Sequence, residues 1–472
     1  MTRPKESGQI LIQVIVFGAI AVYFVATLAS WAGEHIKVGR QALAREQAIQ
    51  IAEAGADYYR WHLAHAPQDY QDGTGTSTPH VHDYLDKDGN HVGQFTLTIT
   101  PPPLGSSLVT IKSVGKVDSD PNISRTIVTQ LAKPSIAKYA TVANAVLRFG
   151  AGTEVFGPIH SNSGIRFDGL AHNIVSSSLA NYDDPDHTGA NDFAVHTHLA
   201  PPDPVPPGAV PSRPDVFESG RQFPVPAVDF AGITSDLAQM KTAAQTSGFY
   251  RAGSGGLGYH VVVKVNDTFD LYRVTSLVNP AGGCTNVGGQ TDWGTWSIQN
   301  QALIGNFAFP TNGLIFLEDH VYVDGQINTA RVTIIAALLP DNPASRKQIT
   351  INTNLRYTNV DGQDVIGLIA QGNLNVGMVS DTTIRIDAAL ISQNGRVGRY
   401  YYGAGCTPYH SRQTLTLWGT IATSQRYGFA YTDGTGYQIR NINYDARLLY
   451  SPPPSFPLTS DQYTTLSWEE IR

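Results

Sequence analysis

Residues 7–33 read SGQILIQVIVFGAIAVYFVATLASWAG, with no charged side chain in the stretch and an almost wholly apolar run from 10 to 32. A helix needs about 20 apolar residues to cross a hydrocarbon core, so the segment reads as a membrane span. An ordinary secretory signal has a shorter apolar core, then a small-residue cleavage site and a polar mature start. Here the run passes without a turn signal into Gly33-Glu34-His35-Ile36-Lys37-Val38 and an Ala/Gln/Arg/Glu-rich stretch to about Leu63, and no proline interrupts it before Pro67. Ile36, Leu43, Ile49, Ala52 and Ala56 recur at roughly helical spacing while Arg40, Arg45, Glu46 and Gln50 fall elsewhere. The expectation is one stem helix over 9–65, about 80 Å long at the helical rise, half hydrophobic and half amphipathic.

The totals suit turn-rich β structure after the stem. The chain has 472 residues, of which 15% are charged, with 45 Gly, 28 Pro and 22 Tyr. A net charge of −7 supplies no basic surface for a phosphate backbone, so no nucleic-acid partner is expected. Alternating runs at 94–99 (QFTLTI), 108–114 (LVTIKSV) and 125–131 (RTIVTQL), separated by Pro101-Pro102-Pro103 and by the turn residues of 118–122, predict a small antiparallel meander within 66–135.

From 136 to 457 the pattern changes to many short apolar runs bounded by Gly or Asn, such as 157–169, 313–317, 332–336, 366–370, 384–391 and 415–421. Small residues at corners and Asn near turns are what the stacked coils of a β-solenoid require; a β-sandwich is the alternative. A Pro-rich and helical excursion is expected at about 180–300. Within it the Pro-dense segment 200–226 should lack ladder hydrogen bonds. Residues 228–247, with Ile233, Leu237, Met240 and Ala244 on one face, should form a short amphipathic helix covering the solenoid or its end. Residues 458–472 are left as a C-terminal tail. The fold class is thus mainly β with a long N-terminal α-helix.

The leader with Arg3 and Lys5, ending Lys5-Glu6-Ser7-Gly8, followed by the apolar span and the run 48–59 (AIQIAEAGADYY), resembles the type IV pilin superfamily, in particular the stem of PilX-like minor pilins. Segments 157–169, 311–336 and 444–457 are similar to an uncharacterised solenoid domain that follows such stems. The resemblance implies a basic leader over 1–8, cleavage by a prepilin peptidase between Gly8 and Gln9, and packing of the stem beside other pilin or pseudopilin subunits. Gln9 stands where Phe or Met is usual. Gln13 stands where major pilins carry a Glu, and a neutral amide cannot neutralise a neighbouring N-terminal ammonium in lipid, which implies a place at the filament tip or at low abundance. The implied role is assembly, tip capping or surface adhesion, with the head held outside the cytoplasmic membrane. A plain anchor that is neither cleaved nor polymerised fits the same hydropathy, because Lys37, Arg40 and Arg45 temper the positive-inside argument.

No catalytic constellation stands out. His160 has no partner carboxylate identifiable from sequence. Glu318-Asp319 and Arg385-Ile386-Asp387 supply groups that solenoid glycan lyases and hydrolases use, without any sign that they converge. Asp183, Asp184, Asp186, His187, Asp192, His196 and His198 offer oxygen and imidazole ligands, but the spacing matches no EF-hand loop and one His-x-His is an incomplete zinc site. An acidic surface loop without metal is expected, calcium being left open, and no cofactor is expected. His80 and His82 carry still less. Cys284 and Cys406, both in Gly-rich segments, fit one long-range disulfide in an oxidising compartment. Tyr400, Tyr401, Tyr402, Trp293 and Trp296 suit either an adhesive, glycan-stacking patch or core packing. The alternative function is therefore a membrane-anchored glycan-binding or carbohydrate-active protein.

Overall fold

The structure is a computed structural model that describes residues 9–76, 79–102, 106–230, 237–459 and 462–471. The leader, including Gly8, and Ile233 lie outside the described residues. The chain forms one long helix followed by mostly β structure, divided into two compact units: 9–101 with 109–132 and 463–471, and 102–108 with 133–462.

In the first unit a single α-helix runs unbroken over Gln9–His65. Residues 10–40 are exposed throughout, although the run 10–32 within them is long and apolar enough to cross a membrane. Its backbone groups are satisfied within the helix, which is what allows such a segment to enter lipid. The hydroxyl of Thr27 also turns inward, donating to the Tyr23 and Phe24 carbonyls at 3.0 and 2.9 Å.

The second half of the helix packs on an antiparallel sheet of five strands in the order His80–Leu85, His91–Thr100, Val109–Val117, Ser124–Ala132 and Thr464–Ile471. The meander is in place, with an added strand on each side: the segment read simply as a tail pairs along Ser124–Ala132 in antiparallel register, Trp468 opposite Thr129. The buried helix face is Ala44, Ala48, Ile51, Ala52, Ala56, Tyr59 and Leu63. This corrects the sequence expectation, since Ile36 and Leu43 are exposed. Small side chains carry the contact because the sheet comes too close for large ones. A Cβ added to Gly115 would sit 2.1 Å from the Ala48 carbonyl oxygen and 2.5 Å from the Ala52 nitrogen, and one on Gly55 would sit 2.4 Å from Ser113 Oγ.

The second unit is built from parallel ladders. Phe249–Arg251 pairs with Leu314–Leu317, then Arg331–Ala336, Val365–Ala370, Thr383–Ser392 and Ser411–Thr423 follow in turn. The ladder then jumps back in sequence: Ser411–Thr423 pairs with Thr141–Ala143, followed by Ile159–Ser161, Val175–Ser177 and Arg221–Gln222. A second face repeats the pattern through Val321–Ile327, Ile349–Ile351, Leu374–Val376 and Val397–Arg399. All of these pairings are parallel, unlike the antiparallel sheets of a sandwich. The unit therefore begins in the middle of its stack, grows to one end by residue 222, crosses to the other end and grows back to the seam.

Both faces of the longest ladder are buried, which explains why its strands read as near-continuous apolar runs. Ile334, Leu368, Leu390 and Ile421 face one core, and Ile335, Ile369, Ile391 and Ala422 face another. The second core is closed by the return link, whose helix Leu237–Ser247 buries Leu237, Met240 and Ala244 against it. Asn162 fixes the start of that link by a reciprocal pair of 2.7 Å hydrogen bonds with the backbone of Val228. The expected excursion of 180–300 is thus shorter. Phe249–Arg251 and Tyr259–Val263 already belong to the stack, and the antiparallel pair Thr268–Leu277 and Ile298–Ala308 closes its end. The Pro-dense segment also departs from expectation, because Arg221–Gln222 falls between prolines and makes ladder bonds with Val175 and Ser176.

Gly115→Val should lower the unfolding stability of the full chain in detergent by about 3 kcal/mol, because the side chain has no room between sheet and helix. Gly39→Ala, where nothing among the described residues lies within 4 Å of the added carbon, should leave it unchanged or raise it, as thermal unfolding would report.

Candidate functional site

Two surfaces invite a functional reading: the bare apolar helix of the first unit and a groove in the second. On the helix, Ile10, Phe17, Phe24 and Trp31 are each more than 60% exposed. Beyond the apolar span Ile36, Leu43 and Trp61 remain exposed while the neighbouring small residues grip the sheet. The helix therefore keeps apolar side chains exposed along this half too, with Trp61 lying against the His65 ring at 4.5 Å. Gln13 sits within the exposed apolar stretch, and Gln9 is its first residue.

The groove of the second unit encloses about 1320 Å3 and runs along rung corners, lined by Arg148, Arg166, Arg346, Arg396, Arg426 and Tyr431 among others. Its arginines are largely engaged. Arg148 lies 3.3 Å from Asp186, which Arg426 also holds, and Arg346 pairs with Asp341 at 2.8 Å. Arg396 donates to the Tyr431 hydroxyl at 3.2 Å and to the Arg399 carbonyl at 2.9 Å. Burial pushes the Asp186 carboxyl up, but Arg426 and Arg148 outweigh it and hold the group below its ordinary range. The result is a polar groove with planar guanidinium and phenol faces and little uncompensated charge. Sequence reading missed it, although Gly372-Asn373, Asn394-Gly395-Arg396 and Gln425-Arg426 mark successive corners.

The carboxylates considered for glycan chemistry are each occupied by local partners. Glu318 accepts from Lys241 at 2.5 Å and from the Tyr250 hydroxyl at 2.7 Å, and Asp319 accepts from Ser254. Asp387 is buried, pairs with Arg385 at 2.7 Å and accepts the Tyr357 amide, and its carboxyl is pushed up by burial. Asp387 stands opposite Trp418 within a ladder, whereas Glu318 follows the end of Leu314–Leu317, so the structure does not bring them together. His160 is fully buried between Ser176 Oγ and Asn162 Oδ1 at 3.0 and 3.1 Å, with no carboxylate on either ring nitrogen. His82 meets Asp72 at 2.6 Å, and His80 is buried.

Tyr400 and Tyr402 are buried, which removes them from any adhesive patch. They pack with Met378, Cys284 and Cys406, whose sulfurs are placed at bonding distance, 2.04 Å, and Trp293 and Trp296 lie against this cluster. The Tyr401 hydroxyl donates to Asp433 at 2.6 Å. Beside this cluster Arg399 is wholly buried, its guanidinium surrounded by the carbonyls of Gly377, Met378 and Tyr409, and burial lowers it to about 10.

The acidic segment is not a surface loop throughout. Asp183 is exposed and Asp186 faces the groove, but Asp184, Asp192 and His196 are buried and converge with His198. Asn181–Tyr182 pairs with Asp192–Phe193, and His196 pairs in parallel register with Arg166, which folds the segment back on itself. Sequence spacing cannot reveal this, because the ligating atoms are brought together by the hairpin.

No family model matches the sequence, and no curated protein matches it. Among solved structures, the competence-associated pilin ComZ from Thermus thermophilus aligns over 91% of this chain and 98% of its own, at 13% identity and a TM-score of 0.30. A superposition that loose carries no argument about fold or role.

Two desolvated histidines set the expected pH dependence of the second unit, His160 fully buried and His320 partly so. His320 is pushed down to about 4 by burial, and burial also lowers His160. The unfolded chain takes up these protons near the ordinary value of about 6.5. The stabilisation from a neutral His320 is therefore present above about pH 6.5 and is lost as pH falls toward 4. His320→Asn, which keeps an acceptor for the Gln348 amide, should lose about 2–3 kcal/mol less stability between pH 7 and 4.5 than the parent in denaturant titrations.

Proposed function

We propose that the chain is a minor-pilin-like or pseudopilin-like component of a type IV pilus or type II secretion-type filament. The apolar half of its stem sits in the cytoplasmic membrane or filament core, and its head is displayed outside. The observation that carries this reading is the unbroken helix Gln9–His65, whose apolar first half is bare while its second half is gripped by a small antiparallel sheet. Such a helix leaves the apolar run 10–32 to be covered by lipid or by other stems, since exposed patches of that size mark membrane or protein contacts. Ile36 and Leu43 extend the free face past the span, where sister stems would lie. The leader resemblance adds a prepilin peptidase as a processing partner, acting between Gly8 and Gln9.

The role is structural: assembly, tip capping or adhesion, without turnover. Gln13 supports the tip or low-abundance position, since it offers no charge for a subunit stacked beneath it. Mass spectrometry of the N-terminus of the protein from its native membranes should find Gln9 as the first residue. An intact Met1 would leave only a membrane anchor. Deleting the gene should alter piliation, twitching or secretion while polysaccharide breakdown stays normal.

An exported head agrees with a Cys284–Cys406 bridge formed in an oxidising compartment. Non-reducing mass spectrometry should find the chain lighter by two hydrogens, and the double Cys→Ser variant should lose about 2–4 kcal/mol of stability, given a sequence separation of 122 residues.

A second reading rests on the groove, whose arginine and tyrosine faces suit an oligosaccharide. Saturable oligosaccharide binding, abolished by Arg396→Ala while filaments remain intact, would favour it over a purely structural head.

A further inference from the structure

Asp184, Asp192, His196 and His198 each offer one ligand atom, and these atoms all lie within 4.8 Å of one another. Asp184 and His196 are 1% exposed and Asp192 is 4% exposed. His196 Nδ1 lies 3.1 Å from the carbonyl oxygen of Phe193. A carbonyl can only accept, so Nδ1 carries the proton and Nε2 presents a lone pair. That lone pair faces Asp184 Oδ2 at 3.6 Å and Asp192 Oδ2 at 3.9 Å.

None of these three atoms has a hydrogen-bond partner among the described residues. Three electron-rich atoms buried together with no proton between them would cost several kcal/mol, so such an arrangement calls for a cation. Arg166 does not supply it: its Nη1 is 3.8 Å from Asp184 Oδ2, beyond hydrogen-bond reach, and its Nε is committed to Asp168 at 2.7 Å. His187 Nδ1 stands 3.5 Å from Asp192 Oδ2 at the exposed side, also too far for a strong bond.

We propose that these four residues form a structural site for a divalent transition-metal ion of the zinc class. Two imidazoles with two carboxylates suit zinc and its first-row neighbours, whereas calcium and magnesium favour sets of six or more oxygens. Four ligands around zinc at 2.0–2.1 Å lie about 3.4 Å apart, so the pairs at 3.6 and 3.9 Å need to close by a few tenths of an ångström, and the widest pair of the set, within 4.8 Å, by up to about 1.4 Å. The Phe193 carbonyl acts as the outer partner that fixes the His196 tautomer.

The ion ties the 183–192 loop to the strands where Val195 and His196 pair with Ile165 and Arg166. His198 lies at the edge of the groove, its amide held by Asp168 Oδ1 at 2.8 Å. Binding there orders one wall of the groove.

The test uses the tag-free full-length chain in detergent, stripped with a chelator and titrated calorimetrically with zinc chloride, and separately with manganese and calcium chloride. One zinc per chain is expected, with calcium at least about 100-fold weaker, and the unfolding temperature should rise on zinc addition. Asp192→Asn and His198→Gln should each weaken zinc binding at least about tenfold, while His187→Ala retains it. If Asp192→Asn does not fold, the half-buried His198→Gln carries the comparison. Absence of stoichiometric zinc binding by the folded parent, or binding undiminished in His198→Gln, would overturn the proposal.

Discussion

The structure depends on one constraint: a helix of 57 residues whose first half lies exposed along its length. Water would not tolerate that surface, and a helix is among the few backbone forms that lipid accepts, because its polar groups are satisfied internally. The second half has to be held firmly by a separate device for the first half to project. That device is close approach. Ala48 and Ala52 meet Gly115, and Gly55 meets Ser113 and Phe95, so the backbone of the helix lies almost on the sheet. The Ala-Glu-Ala-Gly run reads as a packing motif: Ala52 and Gly55 face the sheet while Glu53 stays in water.

The head follows a different logic. Its ladders gain stability from repetition, each rung burying residues on both sides of the longest sheet. Yet the chain enters this stack at its middle. Thr141–Ala143 pairs with Ser411–Thr423, and Thr153–Phe156 pairs with Gly436–Tyr444, so the seam joins the first and last rungs in sequence. The entry and exit of the chain thus lie at the seam, and the antiparallel pair Thr268–Leu277 and Ile298–Ala308 closes one end of the stack. The return link pays for this arrangement by running across a face that would otherwise be bare, and Leu237, Met240 and Ala244 cover it.

Much of this was legible in the sequence. The stem, the meander, the short rungs and the helix around Leu237 follow from hydropathy period and turn chemistry, which are local properties. The buried face of the stem was misread because Ile36 and Leu43 outweigh Ala48 and Gly55 on any hydropathy scale, whereas the sheet selects for size. The strand Thr464–Ile471 was missed because TTLSWEE looks like polar tail; it is an edge strand with an exposed face. The seam and the convergence of Asp184, Asp192, His196 and His198 are products of non-local pairing that a single sequence does not encode as a pattern. His160 and the carboxylates at 318, 319 and 387 needed the structure for the opposite reason: their chemistry was visible, and only geometry shows that it is spent locally.

The central claim is a single rod with two differently protected halves, and hydrogen–deuterium exchange of the full-length chain in lipid nanodiscs tests it most directly. Amides of 10–32 should be protected in the bilayer, those of 44–63 should be protected by the sheet in lipid and detergent alike, and no fast-exchanging break should separate them. Rapid exchange over 10–32 in the bilayer, or a labile break before Tyr58, would contradict the account.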